Sequence, residues 1–401
     1  MSSGLRRLLA ALLLALLATA ACQQRAGDGG DDGGDDGRGD GSDGLRLDQL
    51  LGELDDTGFA RAAAPRDFDF PADHGAHRDF RSEWWYLTGQ LGDAAGRRYG
   101  FQITFFRFAL APPIAAGDAS GEAGAAPSRW RSSEAWMAHF ALSDAAGERF
   151  IHHERFARGA LGLAGADRDA HGRLQVWLDD WRLEHRGGDR WRLRARHGEL
   201  SLALSLRAQK PPVLHGQRGL SQKGAAPGNA SYYYSLPRIA ADGELRIDGQ
   251  RRAVAGSAWL DREWSTSSLD AGVAGWDWLS LQLDDGRELM LYRLRRADGS
   301  ATPQSYAALI AADGALQILD YAAVEWTPTR HWRSPAGRRY PVASRLRIDA
   351  LGAAIELRPL FDAQELSGAL HYWEGAMVAE RAGAVIGRGY LELTGYPPGQ
   401  H

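Results

Sequence analysis

The chain has one cysteine, Cys22, in 401 residues. A lone thiol excludes an internal disulfide framework. Lysine is scarce although arginine is common, and the formal charge is only −4. Residues 1–44 hold four Arg and seven Asp, so −3 of that charge lies there and the remaining body is near neutral. This balance offers nothing to a nucleic-acid backbone. No GxSxG nucleophile elbow occurs, and no His–Asp pair can be placed behind Ser221 or Ser235, which argues against a serine hydrolase. Strand–helix alternation is absent, which excludes a doubly wound sheet. Beyond residues 8–21, no apolar run approaches the roughly 20 residues that span a bilayer.

That run, LLAALLLALLATAA, follows Arg6 and Arg7 and precedes Cys22. A basic start, a short apolar core and small residues before a cleavage point form a secretory signal. The sequence LATAAC resembles a bacterial lipobox, which implies that residues 1–22 are a lipoprotein signal with Cys22 as the lipidated residue. Lipidation would consume the only thiol. Gln23 rather than Asp after the cysteine implies, by resemblance to the bacterial sorting pattern, an outer-membrane lipoprotein facing the periplasm. Residues 23–44 are dominated by Gly and Asp and read as a flexible tether. They lack the regular apolar position that a calcium-binding repeat needs to build a core.

From residue 45 the chain should fold. Leu47, Leu50, Leu51 and Leu54 have helical spacing, which predicts a short helix within 45–63. Thereafter, segments of about six to ten residues, rich in aromatic, Leu and β-branched side chains, alternate with Gly and Asp turns. LSLALSL (200–206) alternates as a half-buried strand should. The stretch 210–230 is a polar Gly/Pro-rich loop, long enough to cover a cavity mouth; 114–128 is a low-complexity insertion. Sixteen or more strands are too many for one small barrel. The expectation is an all-β protein with two tandem antiparallel β-barrel domains, at 45–250 and 251–398.

Several words carry a family resemblance: HGAHRDFRSEWWYLTG (74–89), HGQRGLSQKG (215–224), ASYYYSLPR (230–238), GSAWLDREW (256–264), GWDWLSLQLDDGRELMLYRLR (275–295) and HYWEGAM (371–377). In this order they resemble the hydroxyneurosporene synthase family. That family includes carotenoid 1,2-hydratases and AttH-type secreted lipocalin-like proteins. The resemblance implies two lipocalin-like barrels. The hydratase branch adds water to a terminal alkene of an acyclic carotenoid without cofactor or metal, and Asp261 matches its proposed proton donor. The lipoprotein signal and the GLSQKG…ASYYYS form resemble the AttH-type branch, which implies a membrane-tethered lipocalin-like protein that binds or relays a lipophilic ligand alongside an ABC-type permease, with a hydratase acting through Asp261 as the alternative. At Tyr232 and Tyr234 the hydratase branch carries His and Trp, a departure that weakens the case for that activity here.

The word SAWLDREW (257–264) concentrates the chemistry. On a strand, Trp259, Asp261 and Glu263 share one face, and Leu260, Arg262 and Trp264 the other. Protonating an isolated alkene requires a dry acid and aromatic faces for the resulting cation. A carboxyl in an apolar pocket keeps its proton near neutrality, and aromatic faces attract cations by about 0.5–2 kcal/mol each. Asp261 as acid, Glu263 as water holder, and Trp259, Tyr232, Tyr234, Trp276, Trp278 and Trp85 as cavity lining would meet this demand. Two other readings stand beside it: a ligand cavity without catalysis, and an arginine-paired structural network. Asp73, His74 and His77 have metal-ligand types in close spacing but no distant fourth partner.

Overall fold

The computed structural model describes residues 56–113, 132–266, 269–270 and 272–399. The signal, Cys22, the tether, residues 45–55 of the expected helix and the insertion 114–128 lie outside the described residues. Residues 56–63, which the spacing assigned to a helix, run as a turn followed by chain that is neither helix nor strand. They are tied down at Ala60, whose N–H donates to the Asp79 carbonyl while its own carbonyl accepts from Thr266 Oγ1.

The described residues form 23 strands, three short 3-10 turns and no α-helix. All pairings are antiparallel and fall into two curled sheets, which gives the two lipocalin-like bodies that the strand pattern predicts. The first sheet has 13 strands and is nearly barrel-like. At its centre, β1 (Ser82–Asp93) lies between β2 (Arg98–Ala109) and β13 (Gln250–Ser265), and β13 in turn pairs with β12 (Ala230–Ile247). The second sheet has ten strands and forms a half-barrel. Its chief strands here are β14 (Val273–Leu283), β15 (Glu288–Arg296), β22 (His371–Arg381) and β23 (Ala384–Thr394).

The division between sheets therefore falls between Ser265 and Val273, not at 250/251. The cause is the Asp248–Gly249 hairpin, which folds β13 back along β12 with Ile247 opposite Gln250. SAWLDREW thus belongs to the first sheet. The 210–230 stretch is also more ordered than its composition suggests: β10 (Val213–Leu214) and β11 (Leu220–Gln222) both pair with β12.

Strands β1 and β2 over most of their length, together with residues 230–237 of β12 and 258–265 of β13, are buried on both faces. Trp85, Leu87, Phe101, Ile103, Phe105 and Leu260 point into the first barrel's core. The alternate residues Tyr86, Tyr233 and Trp259 meet Trp278, Tyr292, Ala376 and Tyr390 of the second sheet. The two bodies thus join through the outer face of the first sheet. Their approach is close at Gly100, where an added Cβ would stand 2.6 Å from the Ala376 Cβ and 2.7 Å from the Tyr390 hydroxyl.

At one end of the first barrel, Glu83 is fully buried and bridges two buried arginines. Arg107 Nε donates to its Oε1 at 2.5 Å, and Arg262 Nη2 to its Oε2 at 2.9 Å. Arg262 also donates to the Trp84 and Gly75 carbonyls, and its guanidinium lies 3.8 Å from the Trp85 ring centroid. The neighbouring cations hold the Glu83 carboxyl well below its ordinary range despite burial. Removing one member of such a network leaves its partners buried without compensation. Glu83→Gln is therefore expected to lower unfolding free energy by about 3–5 kcal/mol, read as the shift of the urea midpoint at constant slope.

Candidate functional site

A cavity of about 140 Å³ lies in the seam between the two sheets. The first sheet supplies Trp84, Tyr86, Phe106, Tyr233, Asp261 and Glu263 to its wall, and the second supplies Trp276, Trp278, Tyr292, Tyr372 and Glu392. The half-buried Trp84, Phe106, Phe108, Leu269 and Trp276 mark the side nearest solvent.

Asp261 is 3% exposed. Trp259 Nε1 donates to its Oδ1 at 2.5 Å, Ser235 Oγ donates to the same oxygen, and the Tyr233 hydroxyl donates to Oδ2 at 2.6 Å. Tyr233 is itself held by Trp278 Nε1 at 3.1 Å. No arginine or lysine pairs with Asp261 among the described residues. Arg262, one position along β13, points into the barrel toward Glu83 because successive strand side chains alternate. Burial pushes the Asp261 carboxyl up to about 7, although the hydrogen bonds from Ser235, Tyr233 and Trp259 oppose the rise.

Glu263 has a different environment. Ser231 Oγ donates to it at 2.5 Å and Lys223 Nζ lies 3.1 Å away. Lys223 is one of the chain's two lysines. Its ammonium also stands 4.1 Å from the Tyr292 ring centroid and 5.1 Å from that of Tyr233. Desolvation opposes its charge, but Glu263 and Tyr292 outweigh that and raise its pKa. Glu263 is thus half of an ion pair, whereas Asp261 is not.

The second sheet adds one carboxyl to the wall, Glu392, and a second, Glu374, behind Tyr86. Glu392 accepts from Trp276 Nε1 at 2.9 Å and from Thr394 Oγ1 at 3.0 Å, and burial pushes it up to about 7. Glu374 lies opposite it on β22 and accepts from the Tyr86 hydroxyl at 2.5 Å. Burial, reinforced by Glu392, raises its pKa well above the carboxylate range.

Of the residues named from sequence, Asp261, Glu263, Trp276 and Trp278 line the cavity, and Trp259 packs beside it and binds Asp261. Three do not belong there. Tyr232 and Tyr234 point to the opposite face, where they pack with Phe68, Phe70 and Trp264 across the barrel end. Trp85 lies in the first barrel's core under Arg262. The cavity instead receives Tyr233 and Trp84, one position away in each case. Register decides this: Tyr233 pairs with Glu263 and Trp84 with Glu263 on β13's other flank, and directly paired residues share a face.

Ser235 does meet a histidine, since His215 Nε2 lies 2.7 Å from its Oγ. The order is nevertheless wrong for a hydrolase. Serine stands between histidine and aspartate, and His215 Nδ1 has no hydrogen-bond partner, so no carboxylate orients the imidazole from behind. Asp73 pairs with Arg66 and His77, while His74 Nδ1 meets the Tyr234 hydroxyl at 2.6 Å. These groups act within the structure at the barrel end.

Asp261 and Glu392 both hold their protons more tightly in the folded chain than the ordinary values of 3.8 and 4.5. Between those values and about 7 the unfolded chain has released protons that the folded chain keeps. Stability from these groups is therefore full in acid and is lost as pH rises to about 7, at up to about 1.4 kcal/mol per pH unit for each. Comparing thermal midpoints of wild type and Asp261→Asn/Glu392→Gln from pH 4.5 to 7.5 should show the variant gaining relative stability up to about pH 7 and none beyond.

No curated protein matches the chain. Among solved structures, a putative AttH from Nitrosomonas europaea is similar, with 40% identity and a TM-score of 0.72 over 84% of this chain and 100% of that one. Kievitone hydratase from Nectria haematococca shares the fold at 17% identity and a TM-score of 0.59, over 86% of this chain and 97% of its own. The AttH-like family model matches residues 61–396, a span that takes in both sheets and every wall of the seam cavity, and the chain belongs to the AttH-like family.

Proposed function

We propose that the seam cavity binds a lipophilic molecule of the isoprenoid or lipid type, and that Asp261 acts on it as a proton donor in a cofactor-independent hydration. The observation that carries this reading is the environment of Asp261. It is a buried carboxyl facing an aromatic cavity, held by three neutral donors, with no cation paired to it among the described residues. A carboxyl raised to about 7 can be protonated and deprotonated near neutral pH. Sharing the fold with an enzyme named a hydratase is compatible with this chemistry.

The volume limits what enters. About 140 Å³ is the scale of a cavity that holds a benzene-sized molecule. The site would therefore take one ring or the end of a chain, with the remainder leaving past Trp84, Phe106 and Trp276. In the proposed reaction, the alkene's π electrons take the Asp261 proton onto one carbon and leave a cation on the other. Trp84, Trp276, Trp278 and Tyr292 offer faces to that charge. Water adds to the cation and its released proton returns to the Asp261 carboxylate, which restores the starting state. Ser235 can follow the change: it donates to ionised Asp261 and can turn toward His215 Nε2 when Asp261 carries the proton.

Cellular placement is part of the same proposal. A lipid on Cys22 would hold the body at the outer membrane on the tether 23–44, facing the periplasm, where an ABC-type permease could exchange a lipophilic cargo with it.

Two experiments test this reading. Incubation with a panel of acyclic isoprenoids in heavy-oxygen water should give a product heavier by one labelled water, detected by mass spectrometry. Asp261→Asn should lose about 10²–10⁴-fold in rate while retaining binding. A compound extracted unchanged from wild type would make the protein a carrier instead. For the anchor, radiolabelled palmitate should enter the wild-type chain and not Cys22→Ser; equal labelling would remove the lipoprotein reading.

A further inference from the structure

The cavity's charged groups are unequal in number. Lys223 offsets Glu263, but Asp261 and Glu392 also line the wall, and Glu374 stands behind Tyr86. None of these last three is paired with Arg or Lys among the described residues. Glu374 is fully buried, and its Oε2 has no hydrogen-bond partner. Elsewhere in the molecule buried carboxyls are neutralised: Glu83 by Arg107 and Arg262, Asp277 by Arg293 and Arg295, Glu288 by Lys210 and Arg238. The seam is therefore an exception in a chain well supplied with arginine.

A second observation comes from Lys223. Its ammonium already rests against the Tyr292 and Tyr233 rings inside this cavity. The wall thus accepts a desolvated cation on aromatic faces, as quaternary ammonium sites do. Carboxyls on two opposing sheets with hydrogen bonds but no Arg or Lys partner among the described residues, together with indole and phenol faces between them, form an environment that favours positive charge over a neutral group of the same shape.

We infer that the seam cavity is selective for lipophilic cations, with the carboxyls of Glu392 from the second sheet and Asp261 from the first as its two partners. The ligand class is a compact apolar group bearing a positive charge, either permanent, as in an alkylammonium, or developed on carbon during reaction. This inference rests on the seam cavity being the ligand site.

The test uses the full-length protein and two probes of one shape. Hexyltrimethylammonium carries a permanent charge, and 2,2-dimethyloctane is its uncharged isostere. Binding is read from quenching of tryptophan fluorescence, since Trp84, Trp276 and Trp278 line the cavity. The ammonium should bind at least about tenfold more tightly than the hydrocarbon. Glu392→Gln keeps an acceptor for Trp276 and should cut ammonium affinity about tenfold while leaving the hydrocarbon unchanged. Asp261→Asn should act in the same direction, and circular dichroism confirms that each variant is folded. Equal affinity for both probes would overturn cation selectivity and leave the seam as an apolar site. Ammonium binding undiminished in both variants would place the cation elsewhere and also overturn the inference. Binding of neither probe would remove both this inference and the ligand site on which it rests.

Discussion

The structure depends on strand segments that are buried on both faces. In a strand, residue i and residue i+1 face opposite sides. For β1, β2, residues 230–237 of β12 and residues 258–265 of β13, one side faces the first body and the other is covered by the second sheet. Where these strands are covered on both sides, each position has a packing constraint, and a shift of one residue would exchange core and seam. Tight contacts such as Gly100 against Ala376 and Tyr390 show that the sheets meet as a packed surface. The cavity remains where the side chains of the two outer faces do not fill the gap, and both bodies are needed to enclose it.

The same alternation sorts charge. Along β13, Arg262 goes to the barrel side and finds Glu83, whereas Asp261 and Glu263 go to the seam. Burying an ion is costly unless a partner and hydrogen bonds compensate it. On the barrel side the compensation is an ion-paired network, so Glu83 stays ionised. On the seam side Asp261 has neutral donors alone, so desolvation dominates and its proton is retained near neutral pH. One stretch of eight residues thus contributes to a rigid barrel end on one face and to a titratable site on the other.

The polar groups around Asp261 are gathered from distant parts of the chain. His215 and Lys223 come from the segment that closes over β12, while Glu392 and Glu374 arrive on the last two strands. Lys223 shows how placement changes meaning. In a Gly/Pro-rich stretch it reads as a solvated loop lysine, yet the folded chain presses it against two tyrosine rings and Glu263.

How much was legible follows from how each signal is encoded. Period-two patterning with turn residues is local, so the all-β class, the two bodies and the shared face of Trp259, Asp261 and Glu263 could be read directly. Where that pattern degenerates, reading failed: Tyr232-Tyr233-Tyr234 and Trp84-Trp85 repeat one residue type on both faces, so nothing local reveals which member faces the cavity. Register against Glu263 resolved both. The division between bodies was misplaced because strand signals do not say which sheet a strand joins; the β12–β13 hairpin pairing decided that. The sequence by itself determined the all-β class, the side-chain alternation along its main strands and the presence of Asp261 among aromatics. Tertiary structure alone decided that Arg262 turns away from Asp261, that Glu392 joins the wall, and that the cavity lies between the bodies. These are contacts between residues as far as 179 positions apart for Arg262 and Glu83 and 288 for Tyr86 and Glu374, and local periodicity carries no information at that range.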